Sequence, residues 1–137
     1  MNGQDFIRIA GEAFAPFLKG LGFAMGTPSI SGWHYWISFT SNTHVVDVSY
    51  EPGEPGDAPF VQVSTREKGK LSAFDDASKT LRLADLNSRF MQFVGDEERT
   101  ANEAVFRSVV AHDKMERLLL KFAKELRLVL PRYLQSL

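Results

Sequence analysis

The side chains best suited to chemistry in this sequence are three histidines, His34, His44 and His112, and the chain contains no cysteine. The first two fall on neighbouring predicted strands, but neither has the spacing of a metal-binding pair. We interpret both as structural residues of a sheet. His112 lies near an expected break in the last helix, where a cation close to a helix C-terminus is stabilising. The sequence therefore predicts no metal site.

Motifs that carry catalysis or cofactor binding are absent from the sequence. There is no Gly-x-Ser-x-Gly nucleophile motif, no phosphate-binding loop and no dinucleotide fingerprint. Carboxylates cluster at Asp75-Asp76 and Asp96-Glu97-Glu98, but these are chain neighbours in predicted loops. A carboxylate pair that hydrolyses a glycoside must instead flank a cleft. We expect a protein that is not an enzyme and that has no catalytic residue and no cofactor.

The charge distribution argues against nucleic acid as a partner. The net charge of the chain is −1, but residues 1–60 carry a net −4 and residues 61–137 a net +3. Binding to a phosphate backbone requires a concentrated basic face. The acidic N-terminal half therefore favours a protein partner over nucleic acid.

Hydropathy predicts a cytoplasmic protein that does not enter the membrane. No segment approaches the roughly 20 apolar residues that a bilayer-spanning helix requires. The first 19 residues contain Asp5, Arg8 and Glu12 and lack the pattern of a signal peptide. The absence of cysteine suits a reducing compartment.

Three segments alternate between apolar and polar residues, which predicts half-buried strands. They cover residues 33–40, 44–51 and 60–66, and their short connections predict an antiparallel meander. In the first strand, Trp33, Tyr35 and Phe39 are expected on the buried face. In the other two, the expected buried side chains are Val46, Val48, Tyr50, Val61 and Val63.

Helical patterns on both sides of the meander would cover its apolar face. Residues 5–21 form an apolar stripe that Pro16 should bend or end early. A short helix is expected at about 84–94 and a long or broken C-terminal helix at about 101–135. Capping signals at residues 100–103 and at Asp113 leave open whether that last helix is one or two. The expected fold is a single α+β domain over residues 1–137.

The residue hardest to explain by folding alone is Trp36, on the otherwise polar face of the first strand. Exposed tryptophan is enriched at binding hot spots. Acidic residues follow on the same face and in the next loop, and the candidate partner-binding residues are Trp36, Asp47, Glu51, Glu54 and Asp57. An acidic patch with an aromatic anchor would suit a basic protein partner. The alternative is a solvated sheet face on which a loop or helix covers Trp36.

The order of helix, Leu-Gly-Phe turn, meander and Leu-rich helix resembles the small immunity proteins of bacterial polymorphic toxins, including contact-dependent growth-inhibition systems. Residues 17–23, 46–50, 60–64 and 81–86 carry the resemblance, which covers about residues 5–90. It implies stoichiometric binding and neutralisation of a cognate toxin domain in the cytoplasm. Because many such toxins act on nucleic acids and have basic surfaces, it also implies a basic partner.

A second interpretation is a small acidic secretion chaperone that binds an effector protein and is an obligate dimer. The C-terminal stripe has off-face leucines, Leu120 and Leu128, which fit either a homodimer or packing within one fold. Solution mass would distinguish the two interpretations.

Overall fold

The computed structural model describes residues 1–53, 58–67, 70–71 and 79–137, and it confirms the predicted α+β class. The helices are α1 (Gly3–Ala13), α2 (Ala15–Gly20), α3 (Leu83–Phe90), α4 (Asp96–Val105) and α5 (Lys114–Gln135), with a 3-10 turn at Met91–Phe93. The described strands are β1 (Ala24–Met25), β2 (Ser29–Ser31), β3 (His34–Thr40), β4 (His44–Tyr50), β5 (Phe60–Glu67), β6 (Lys70–Leu71) and β7 (Thr80–Arg82).

The sheet is built around the predicted meander of β3, β4 and β5, in which every pair is antiparallel. Among the described residues, β1 and β2 add to β3 on one side, and β6 and β7 add to β5 on the other. The three long strands start and end within one residue of the predicted bounds. The four short strands were not predicted as strands, because segments of two or three residues have too little alternation to show a period.

The outer edge beside β3 bends at a bulge. Met25 pairs with Phe39 and Ser29 pairs with Trp36, so three residues face two between these pairs. The Gly26 N–H donates to the Ser38 carbonyl oxygen at 2.7 Å, and a Cβ on Gly26 would lie 3.0 Å from that oxygen. Bulges of this kind bend an edge strand and reduce its capacity to pair with other chains.

The core lies between one face of the sheet and the helices. Helix α1 packs on β3, α3 packs on β5 and β7, and α1, α3 and α4 all contact α5. The side chains predicted to share the dry face are all buried, namely Val46, Val48, Tyr50, Val61 and Val63. Tyr35 and Phe39 join them as predicted, but Trp33 does not, because β3 begins only at His34.

The predicted N-terminal helix is divided into α1 and α2 near Pro16, as its position suggested. Asn2 caps α1 by accepting a hydrogen bond from the Asp5 N–H at 2.9 Å. Pro16 falls in the first turn of α2, the part of a helix that tolerates a residue without an N–H. The proline therefore starts a new helix rather than bending a continuous one.

The C-terminal helical region is broken, and its first part begins earlier than the predicted residue 101. Helix α4 starts at Asp96, and its first turn contains Asp96, Glu97 and Glu98, which the sequence analysis placed in a loop. Carboxylates at a helix N-terminus are stabilised by the helix dipole. Helix α5 begins after Asp113, whose side chain accepts from the Glu116 N–H at 2.8 Å. The Asp113 capping signal is thus confirmed, whereas the signal at residues 100–103 lies inside α4.

An ion pair between a half-buried arginine and a buried glutamate connects α1 to the start of α5. The Arg8 guanidinium donates to the Glu116 carboxylate, and Glu116 is only 2% exposed. Arg8 also donates to the Val110 carbonyl oxygen at 3.1 Å and lies 3.3 Å from His112 Nδ1. The expected position of His112 at a helix C-terminus is therefore wrong, because His112 lies just before the N-terminus of α5, with a side chain that is 65% exposed.

Candidate functional site

The face of the sheet opposite the helices carries the residues that the sequence singled out. Pairing aligns Trp36, Ser49 and Phe60 in one row across β3, β4 and β5. The next row contains Ser38, Asp47, Gln62 and Arg82. Trp36 and Phe60 are half-buried, so two aromatic side chains flank a serine near one end of the sheet.

Asp47 is less available to a partner than the sequence suggested. Its carboxylate accepts a hydrogen bond from the Ser38 hydroxyl and lies 3.5 Å from the Gln62 side-chain amide. Asp47 is half-buried and Gln62 is buried. A carboxylate whose acceptor sites are used by neighbouring donors contributes less to binding, so Asp47 mainly orders the centre of this face.

Glu51 fits the prediction better, because its side chain is 58% exposed. Its carboxylate lies 3.7 Å from His34 Nδ1, and the His34 ring packs against the Trp36 ring at a tilt of 34°, with ring centroids 4.6 Å apart. His34 thus lies close to both Trp36 and Glu51, although the sequence indicates only a structural role for it.

The structure corrects the predicted position of Trp33, which the sequence analysis assigns to the core and not to the partner-binding residues. Trp33 was expected in the core, but it is 76% exposed. Ser31 pairs with His34, so Gly32 and Trp33 form a two-residue turn, and Gly32 has φ +58°. A glycine with positive φ at the first turn position is typical of tight hairpins. The alternation of polar and apolar residues therefore continues beyond the start of β3 into this turn, and the turn places the indole outside the sheet.

Trp33 and Glu51 line the same groove, which has a volume of about 500 Å³. Its other described lining residues are Ser31, His34, Pro52 and Gly53. The groove lies at the end of the sheet where β3 begins and β4 ends. Of the five predicted partner-binding residues, Glu51 lines this groove, and Trp36 contacts its lining residue His34. Glu54 and Asp57 lie outside the described residues.

His44 lies at the other end of the β3–β4 hairpin from His34, so the structure does not bring the two histidines together. It is 3% exposed, on the core face, with its ring 5.6 Å from that of Tyr133. Nδ1 lies 2.8 Å from the Thr43 hydroxyl, whereas Nε2 is buried and has no hydrogen-bond partner among the described residues. Burial lowers the pKa of His44, which keeps the imidazole neutral.

Comparisons with known proteins give no relative for this chain: no family model, curated protein or solved structure matches it. Within the described ranges, no group of three or more histidine, aspartate or glutamate side chains is placed to hold a metal ion. No helix in those ranges has both the length and the apolar run needed to cross a bilayer. What the structure offers is a surface that combines an exposed indole, a second tryptophan and a carboxylate.

Proposed function

We propose that this protein acts by binding another protein, as an immunity protein that neutralises a cognate toxin domain. The observation that supports binding is the Trp33–Glu51 groove, where an indole that is 76% exposed lies on the same groove as a carboxylate that is 58% exposed. The resemblance of residues 5–90 to toxin immunity proteins supports the choice of a toxin as the partner.

An exposed tryptophan is difficult to explain by the stability of the fold. Its large apolar side chain would gain free energy by leaving water, yet the Gly32 turn holds it outside the sheet. Tryptophan is among the residues whose truncation costs most at protein interfaces. Trp33 is therefore the proposed anchor. His34 lines the same groove, and Trp36 packs against His34.

The charge of this end of the sheet favours a basic partner. Glu51 is exposed, and the sequence adds Glu54 and Asp57 within the next six residues. A lysine or arginine of the partner could pair with Glu51 and also contact the Trp33 ring. Many toxins that act on nucleic acids present basic surfaces. An inhibitor with this groove would compete with the nucleic acid for the basic surface of the toxin.

The experiment is calorimetric titration of the purified protein with the toxin domain encoded beside its gene, together with an assay of toxin activity. We expect a one-to-one complex, loss of toxin activity and weaker binding at higher salt. Trp33→Ala should weaken binding by at least thirtyfold, corresponding to the roughly 2 kcal/mol of a hot spot. The matched control is Phe93→Ala, which removes an aromatic side chain that is 65% exposed beyond the far end of α3.

Absence of a complex together with absence of protection would contradict the proposal. An obligate dimer that binds an unfolded secretion substrate, rather than a folded toxin, would instead support the secretion chaperone interpretation. Sedimentation of the protein alone and with its partner separates these results.

A further inference from the structure

A second groove lies on the opposite side of the meander, between β5, β7 and the helices α3 and α5. Its volume is about 340 Å³, within the range of small-molecule sites. Phe60, Leu83 and Phe122 give it apolar walls, and Asn87 and Glu125 supply polar atoms from two different helices. Among the residues that the structure describes, it shares no lining residue with the Trp33–Glu51 groove.

One polar atom of this groove, Asn87 Oδ1, is an acceptor without a donor among the described residues, and the Glu125 carboxylate accepts one hydrogen bond, from Asn87. Asn87 Nδ2 donates to Glu125 Oε2 at 3.2 Å. The oxygen of the same amide, Asn87 Oδ1, is buried and has no hydrogen-bond partner among the described residues. Glu125 is half-buried and forms no ion pair with any described residue. Burial raises the pKa of the Glu125 carboxyl, while Lys121 and the Asn87 hydrogen bond oppose that rise. Buried acceptors without donors are costly, so a ligand that donates hydrogen bonds would be stabilised here.

The aromatic walls favour a donor that carries positive charge. The Arg82 guanidinium, which also lines the groove, lies 5.1 Å from the centroid of the Phe60 ring, so the Phe60 ring already contacts a cation and Phe122 is the ring left for a ligand. Phe122 lines the same groove. A carboxylate, an amide oxygen and phenyl rings together are the groups that recognise ammonium and guanidinium ions.

We propose that this groove binds an organic cation, an alkylammonium or guanidinium group, with Glu125 and Asn87 as its hydrogen-bond acceptors. The cation can belong to a small molecule or to a lysine or arginine side chain, since the chemistry is the same. The site does not depend on the proposed inhibition of a toxin. Arg82 and Lys121 both line the groove, and their positive charges oppose a cation. Lys121 lies one turn before Glu125, so removal of its charge should tighten the binding of a cation and weaken the binding of an anion.

The test is a titration of isotope-labelled protein with ethylguanidinium and n-butylammonium chloride, at constant ionic strength and neutral pH. Chemical shifts of the Asn87 side-chain amide report on the site, and n-butanol and butyrate serve as neutral and anionic probes. We expect saturable shifts with both cations, at least tenfold weaker binding in Glu125→Gln, and several-fold tighter binding in Lys121→Gln. The control Glu97→Gln, which removes an exposed carboxylate of α4, should bind like the unmodified protein.

Two results would overturn the proposal. One is no saturable shift with either cation in protein whose spectrum remains that of the folded chain. The other is binding of butyrate that weakens in Lys121→Gln, because that would make the site an anion site. A blocked arginine dipeptide then distinguishes the sources of the cation. At least tenfold tighter binding than ethylguanidinium indicates a protein side chain as the natural ligand, and equal binding indicates a free small molecule.

Discussion

Alanine substitution at Trp33 and at Phe39 should have very different effects on stability, although alternation assigns both to the core. Phe39 is 1% exposed, and removing a buried phenylalanine costs about 3–5 kcal/mol of unfolding free energy. Trp33 is 76% exposed, which leaves about a quarter of its surface covered. A fully buried tryptophan removes up to about 250 Å² from water. The covered part is then about 60 Å², which amounts to at most about 1.5 kcal/mol at about 25 cal/mol per Å².

The assay is equilibrium unfolding in urea, followed by circular dichroism and tryptophan fluorescence. With a urea slope of about 1.5 kcal/mol per M, Phe39→Ala should lower the midpoint by roughly 2–3 M and Trp33→Ala by about 1 M or less. Coincident transitions by the two probes check that unfolding is two-state. Equal losses in the two variants would refute the placement of Trp33 in a turn, and with it the groove that it lines.

Three further predictions concern the histidine, the ion pair and the turn. Unfolding free energy should fall as the pH drops below about 6.5, because the unfolded imidazole of His44 then takes up a proton that the folded one resists; His44→Leu should flatten that part of the pH profile measured by urea unfolding. Glu116→Ala should cost about 2 kcal/mol in thermal unfolding, because it removes one charged hydrogen bond of Arg8 while Glu12 and the Val110 carbonyl still contact that guanidinium, and adding Arg8→Met should recover part of that loss. Gly32→Ala should cost about 1–2 kcal/mol because φ is +58°, and a loss below about 0.3 kcal/mol would contradict that turn geometry.

The long strands could be predicted from the sequence because each buries one face. In β4, Val46, Val48 and Tyr50 recur at every second position, and this period fixes both the strand and its orientation. His44 lies two residues before Val46 in the same series and is buried as well. Its burial was not predicted, because its side chain is polar. The burial of this face therefore follows the two-residue period of the strand more closely than it follows the polarity of each residue.

Trp33 could not be placed by alternation, because alternation does not show where a strand starts. The turn depends on Gly32 adopting a positive φ and on Ser31 pairing with His34, and the second condition is a tertiary contact. Glycine directly before Trp33 was the available signal. The start of α4 was missed for a related reason, since acidic residues suit both a solvated loop and the first turn of a helix.

The second groove could not be predicted from the sequence at all. Phe60, Asn87 and Glu125 come from one strand and two helices, and no spacing along the chain indicates that they meet. Their meeting follows from the packing of α3 on α5 beside β5. Sites of this kind depend on tertiary structure. For the Trp33–Glu51 groove, the sequence singled out Glu51 and the neighbouring Trp36, but not Trp33.

Hydrogen exchange of the chain, measured alone and in complex with the toxin domain, tests whether a protein partner binds at the Trp33–Glu51 groove. We predict slower backbone exchange in residues 31–36 and 49–53 when the partner is bound, with little change in α4. Slower exchange confined to α4 and α5, with none in the β2–β3 turn, would contradict it.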